Sequence, residues 1–187
     1  MTYTAYTVDR LGTLKPQQSV GIEQHNDVQP QALQAFVDSW FPAGVTGHGE
    51  KYLLQPAPAM LFAPSVELTC ELVRRSEFPR LPSRFQSVFG CETLTDAKSF
   101  LAEFGAGCPD SQIMEVETDS EPFRADMRCL DISSSVLVEA YGARRYWRQE
   151  PNDLGSFPGG NPTPAFWELL LRPPVRVLRQ MFSAAAP

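Results

Sequence analysis

The spacing of apolar residues changes along the chain, and each change marks an element. Residues 3–10 alternate, with Tyr6, Val8 and Arg10 on one face and Thr7 and Asp9 on the other, which is the period of a strand; Leu11-Gly12 stops it. Residues 15–27 are polar and read as loop. Pro30 opens an amphipathic helix carrying Leu33, Phe36, Val37 and Trp40, and Phe41-Pro42 ends it. Residues 43–58 hold glycines and prolines and read as a long loop, with His48 solvated between two glycines. A second helix begins at Pro64-Ser65. Val66, Cys70 and Val73 form its apolar row, Leu68 and Leu72 lie beside that row, and Arg74 and Arg75 suit the negative end of its dipole.

Residues 78–89 read Phe-Pro-Arg-Leu-Pro-Ser-Arg-Phe-Gln-Ser-Val-Phe. The two prolines hold the entry extended. Phe85, Ser87 and Phe89 then fall on one face of a short expected strand, with Gln86 and Val88 on the other. A serine between two aromatics suits the wall of a pocket that holds a flat ring and needs one hydroxyl. Thr93 begins a helix through Ala97, Phe100, Leu101 and Phe104, with Gly105 as its C-cap. Residues 112–118 alternate as a strand, and 123–130 are its expected partner across a turn at 119–122. Ser133-Ser134-Ser135 can cap a helix carrying Val136, Leu137, Ala140 and Tyr141 and ending near Tyr146-Trp147. Residues 150–164, rich in Pro, Gly and Asn, read as a surface loop of the kind that carries recognition. Two strands, 166–171 and 175–178, follow around Arg172-Pro173-Pro174. The first places a lone carboxylate, Glu168, in an aromatic and leucine run, and stretches 78–89 and 166–171 are expected to face each other. Hairpins with segregated helices, no repeat and no second core predict one α+β domain over residues 1–187 with mostly antiparallel sheets.

Composition narrows the function classes. An apolar fraction of 43% supports a core, and a net charge of −6 argues against sequence-independent binding to nucleic acid or anionic membrane. Arg74, Arg75, Arg80 and Arg84 could still form a local basic patch, which keeps nucleic acid open as a partner. Cys70, Cys91, Cys108 and Cys129 lie far apart without a Cys-x-x-Cys pair, and only His25 and His48 accompany them, so no metal site is expected. Reduced thiols, no leader pattern and no membrane-length apolar run point to the cytosol, or to an effector delivered into a target cell, which would look the same. No Gly-x-Gly-x-x-Gly and no phosphate-binding P-loop is present.

Four pieces of the chain carry a family resemblance: Tyr6-Thr7-Val8-Asp9-Arg10; Arg74…Phe78-Pro79…Pro82-Ser83-Arg84…Ser87-Val88-Phe89 with the helix after it; Ala143…Tyr146-Trp147; and Glu168-Leu169-Leu170…Val175-Arg176-Val177. Together they resemble a bacterial branch of the ADP-ribosyltransferase superfamily. The resemblance implies a split antiparallel β-sandwich with flanking helices that clasps NAD. It implies Arg or His on a first strand, Ser, Thr or Tyr on a second and Glu on a third. Carried over, these are Arg10, then Ser87 (or Ser83), then Glu168, with Phe89 packing on nicotinamide and Arg10 or Arg84 binding the pyrophosphate. The loop at 150–164 would recognise the acceptor. Phe166 stands where arginine-modifying members carry Gln or Glu, which speaks against arginine as the acceptor.

The implied reaction breaks the bond between nicotinamide and ribose through an oxocarbenium-like transition state. The leaving group is already cationic, so no general acid is needed and one carboxylate is enough. Glu168 would stabilise the developing charge, and Ser87 would hold the ribose or orient Glu168. The expected activity is transfer of ADP-ribose from NAD to a macromolecule, protein favoured. The competing readings are an NAD glycohydrolase using the same site and a non-catalytic binding or immunity module, in which Glu168→Ala would affect only stability.

Overall fold

The computed structural model describes residues 1–56, 62–105, 108–131, 135–156 and 163–184. In chain order its elements are β1 (Tyr3–Asp9), β2 (Ser19–Val20), α1 (Gln31–Trp40), α2 (Gly47–Gly49, continued by a π-type turn at Glu50–Leu54), α3 (Phe62–Glu77), β3 (Val88–Gly90), α4 (Leu94–Phe104), β4 (Gln112–Thr118), β5 (Phe123–Asp126), α5 (Val136–Trp147), β6 (Trp167–Leu171) and β7 (Val175–Ser183). The fold is α+β, and the paired strands run antiparallel. The chain divides into two compact units that interleave in sequence. One holds Met1–Gly21, Val88–Phe123 and Glu168–Pro187, the other Ile22–Ser87 and Arg124–Trp167.

The first unit is built on a sheet of order β1-β4-β7-β2. Its core is Ala5, Met114, Val116, Leu169, Leu171, Val175 and Val177, with Leu14, Val20 and Val88 against it. The alternation expected for β1 is present, but the buried face is Ala5, Thr7 and Asp9. Polar residues go inward there because each is matched. Thr7 Oγ1 donates to the Phe89 carbonyl at 2.6 Å. The Asp9 carboxylate accepts from the amides of Leu11 and Leu14 and from Gln112 Nε2, and so turns the chain at the strand's end. β4 keeps its expected bounds, but its neighbours are β1 and β7, correcting the hairpin expected with 123–130. That segment is a short strand, β5, followed by a 3-10 turn at Met127–Leu130. β7 runs five residues past its expected end. Two register shifts against β4 bend the pair. The expected loop at 15–27 includes β2, which pairs with β7. α4 begins where predicted, because the Thr93 hydroxyl accepts from the Asp96 amide, and Gly105 caps its end.

The second unit is mostly helical. α3 packs with α5, where the Trp147 indole donates to the Cys70 carbonyl at 2.9 Å. A smaller cluster of Phe41, Val45 and Phe85 is flanked by Trp40, Tyr52, Leu53 and Leu54. The expected long loop at 43–58 is partly helical, through α2 and the π-type turn. Ser135 caps α5; Ser133 and Ser134, also expected there, lie outside the described residues, as do 157–162 of the loop 150–164. α1 has the expected amphipathic spacing, yet none of its residues is buried. No helix among the described residues is long and apolar enough to cross a membrane.

Candidate functional site

In the first unit, β3 pairs antiparallel with β6, with Val88 opposite Leu171, Phe89 opposite Leu170 and Gly90 opposite Leu169. Directly opposed residues share a face, and residues two apart on a strand share a face. Phe89, Leu170 and Glu168 therefore lie on one face. Gly90 lies on the other, where an added Cβ would meet Ala5 and Leu171 at 3.3 and 3.4 Å. The register carried one residue further sets Cys91 opposite Glu168. Burial, together with the charges of Asp96 and Glu168, pushes the Cys91 thiol up to about 12. Cys91 also exchanges backbone hydrogen bonds with Tyr6 of β1, at 3.0 and 2.8 Å. Glu168 is 7% exposed, in a strand whose four last residues are all buried. Arg10 is half-buried, one residue past the end of β1.

The second unit holds Ser83, Arg84 and Ser87. The strand expected over 85–89 is shorter, because Arg84–Gln86 forms a 3-10 turn and only Val88–Gly90 is extended. Serine chemistry makes that turn. Ser83 Oγ accepts from the Phe85 amide at 3.2 Å and donates to Glu71 Oε2 at 2.9 Å, and Ser87 Oγ donates to the Ser83 carbonyl at 2.7 Å. The Ser87 carbonyl in turn accepts from Thr46 Oγ1. Phe85, Ser87 and Phe89 thus do not form one strand face: Phe85 joins the aromatic cluster, with the Phe41 ring edge-on at 5.7 Å.

Arg84 is enclosed in a polar group. Its Nε and Nη2 each donate to Glu67 at 2.8 Å, and Nη1 donates to the Tyr146 hydroxyl at 2.7 Å. His48 Nε2 stands 3.2 Å from Glu67 Oε1, and its ring lies 4.6 Å from that of Tyr52. Burial opposes ionisation of Glu67, yet the Arg84 charge and hydrogen bonds, with His48 added, hold its carboxyl well below the usual range. One turn on, Glu71 accepts from Arg74 Nε and Nη2, from Arg75 Nε and from Ser83 Oγ. Burial again opposes ionisation, and these donors again lower the Glu71 carboxyl.

α3 therefore buries Glu67 and Glu71 next to the expected row, of which Val66 and Cys70 are buried and Val73 half-buried, and it leaves Leu68 and Leu72, expected beside that row, exposed. The sequence held a signal for this: Glu71 precedes Arg74 and Arg75 by three and four residues, the spacing at which helical side chains meet. His48 carried no such signal, because its partner lies on another element. The proposed site residues divide between the units. Arg10, Phe89 and Glu168 belong to the first, and Ser83, Arg84 and Ser87 to the second. Among the described residues no group of His, Cys, Asp and Glu is arranged to hold a metal ion.

A family model described as a protein of unknown function, DUF2441, matches residues 56–180. No curated protein matches the chain.

Proposed function

The chain belongs to the DUF2441 family, and we propose that it is an ADP-ribosyltransferase that moves ADP-ribose from NAD to a macromolecular acceptor, protein favoured. One observation supports this above the others: Phe89 and Glu168 share a face of the β3–β6 pair, an aromatic on one strand and a carboxylate on the next, two residues along from the residue opposite the ring. This matches what the nicotinamide riboside end of NAD requires. The ring packs on nicotinamide, and the carboxylate meets the ribose and stabilises positive charge as the glycosidic bond breaks. The sequence of the four motifs supports the same reading.

The polar bonds of the second unit reassign the neighbouring roles. The Arg84 fork is engaged by Glu67, and a phosphate would have to displace a buried carboxylate to reach it. Arg10 is then the better candidate for the pyrophosphate, where a guanidinium matches two phosphate oxygens. Ser83 and Ser87 are bonded within their own turn and serve to fix it.

The test is nicotinamide release from NAD by the purified protein, wild type beside Glu168→Ala, with folding checked by thermal melt. Wild type should turn over, and a folded Glu168→Ala should lose at least about 10²-fold. Phe89→Ala should raise KM for NAD more than it lowers kcat. No release by wild type, with lysate present to supply an acceptor, would remove the transferase reading.

A further inference from the structure

The strand register places one more residue on the face that carries Phe89 and Glu168. Tyr6 and Cys91 exchange both backbone hydrogen bonds and so stand directly opposite, and Cys91 shares its face with Phe89, two residues back. On β1 that face is Tyr6 and Val8, with Arg10 next in the alternation, while Ala5, Thr7 and Asp9 point to the other side. Arg10 is half-buried, and among the described residues no salt bridge engages it.

Asp9 is the neighbour in sequence that could neutralise Arg10, and the fold turns it away. Its buried carboxylate accepts from the Leu11 amide at 3.0 Å through Oδ1, and through Oδ2 from the Leu14 amide at 2.7 Å and Gln112 Nε2 at 3.0 Å. Gln112 stands directly opposite Asp9 in the β1–β4 pair, and its Nε2 also donates to the Leu14 carbonyl at 2.8 Å. The middle of the turn is pinned as well. Gly12 has a φ of +67°, and a Cβ there would come within 2.6 Å of the Asp110 carbonyl oxygen. The Arg10 side chain therefore leaves from a fixed backbone, and a guanidinium held in this way gives up less freedom when it binds an anion.

We propose that Asp9 is a positioning residue for the pyrophosphate of NAD: by closing the 10–14 turn on the opposite side of β1, it directs Arg10 along the Phe89–Glu168 face and keeps its own charge from neutralising it. This rests on the transferase reading. An acid is needed at 9 because an amide has about half the acceptor capacity and would turn its own N–H groups toward those of Leu11 or Leu14.

The experiment uses the full chain, with ADP as a probe that carries the pyrophosphate without the nicotinamide end. Calorimetry should show wild type binding ADP, Asp9→Asn binding it about tenfold more weakly, and Arg10→Ala weaker by at least as much. The double variant should stay within about twofold of Arg10→Ala, because the carboxylate acts through the arginine. In nicotinamide release, Asp9→Asn should raise KM for NAD by the same factor and leave kcat within about twofold. Gln112→Met, which keeps the two amide bonds to Asp9, should shift ADP binding the same way by less, and it carries the test if Asp9→Asn fails to fold. Unchanged ADP binding in both variants overturns the proposal. So does an Asp9→Asn loss of the same size with and without Arg10, or a wild type that binds no ADP. A wild type that binds ADP but releases no nicotinamide from NAD overturns the transferase reading, and with it the assignment of this anion site to NAD.

Discussion

At Glu67 a carboxylate has been taken out of water beside a guanidinium that meets both its oxygens. Removing one member leaves the other buried without its counter-charge. Arg84→Met or Glu67→Leu alone should therefore cost about 3–5 kcal/mol in denaturant unfolding, and the double variant distinctly less than the two summed. Additive losses would show that the two groups do not act as a pair. The same pair predicts a pH dependence. The folded Glu67 carboxyl ionises well below its ordinary 4.5, so its stabilisation is complete above that value and drains as pH falls beneath it. The melting difference between wild type and Glu67→Gln should be flat above pH 4.5 and narrow below it; a difference that widens in acid would reverse the sign. The thiols offer a third check. Burial pushes Cys91 and Cys129 up to about 12, with neighbouring acids adding to it, and Cys70 is buried. Half-buried Cys108 should be alkylated first by iodoacetamide, and the other three only after denaturation. Native labelling of Cys91 at the Cys108 rate would count against its enclosure beside Glu168.

At the scale of the element, α3 gives the clearest test of which stripe faces inward. Leu68→Ser and Leu72→Ser should each change stability by under about 1 kcal/mol, because both leucines are exposed. Glu71→Ala should cost about 3 kcal/mol, because it removes the carboxylate that accepts from Arg74, Arg75 and Ser83. The reverse order would put the leucines inside. The contrast also explains what was legible. β4 and α4 follow their local signals closely, since the alternation from Met114 to Thr118 and a Thr93 cap act within the element itself. α3 was legible as a helix with Val66 and Cys70 inward, but its buried carboxylates were not, because Glu67 and Glu71 go inward only when Arg84 and Ser83 arrive from a distant turn. The 85–89 strand was misread for a related reason. Its alternation is real, but the Ser83 hydroxyl competes for the Phe85 amide and bends the backbone into a 3-10 turn.

For the molecule as a whole, the interleaving matters most. The chain passes between units after Gly21, Ser87, Phe123 and Trp167, so neither unit is one continuous stretch. The span matched by the family model, 56–180, lacks β1 and β2. β1 is a direct neighbour of β4 and supplies Ala5 to the core, and β2 edges β7. A fragment of residues 56–180 should therefore lose the cooperative melt of the full chain; a fragment that melts as sharply and as high would show β1 and β2 to be dispensable. The sequence by itself determined the α+β class, the strand periods of β1 and β4, the presence of β6 to within a residue of its start, and the start of α4 and α5, because those depend on side chains a few residues apart. It also pointed to Phe89 and Glu168 as residues to watch. Only the tertiary structure decided that these two share a face, that Arg84 is answered by Glu67 and Tyr146, and that Asp9 is met by Gln112. Each of those joins residues far apart along the chain, and the partner of a buried polar group is chosen by which elements the fold brings within hydrogen-bonding distance, which no local pattern encodes.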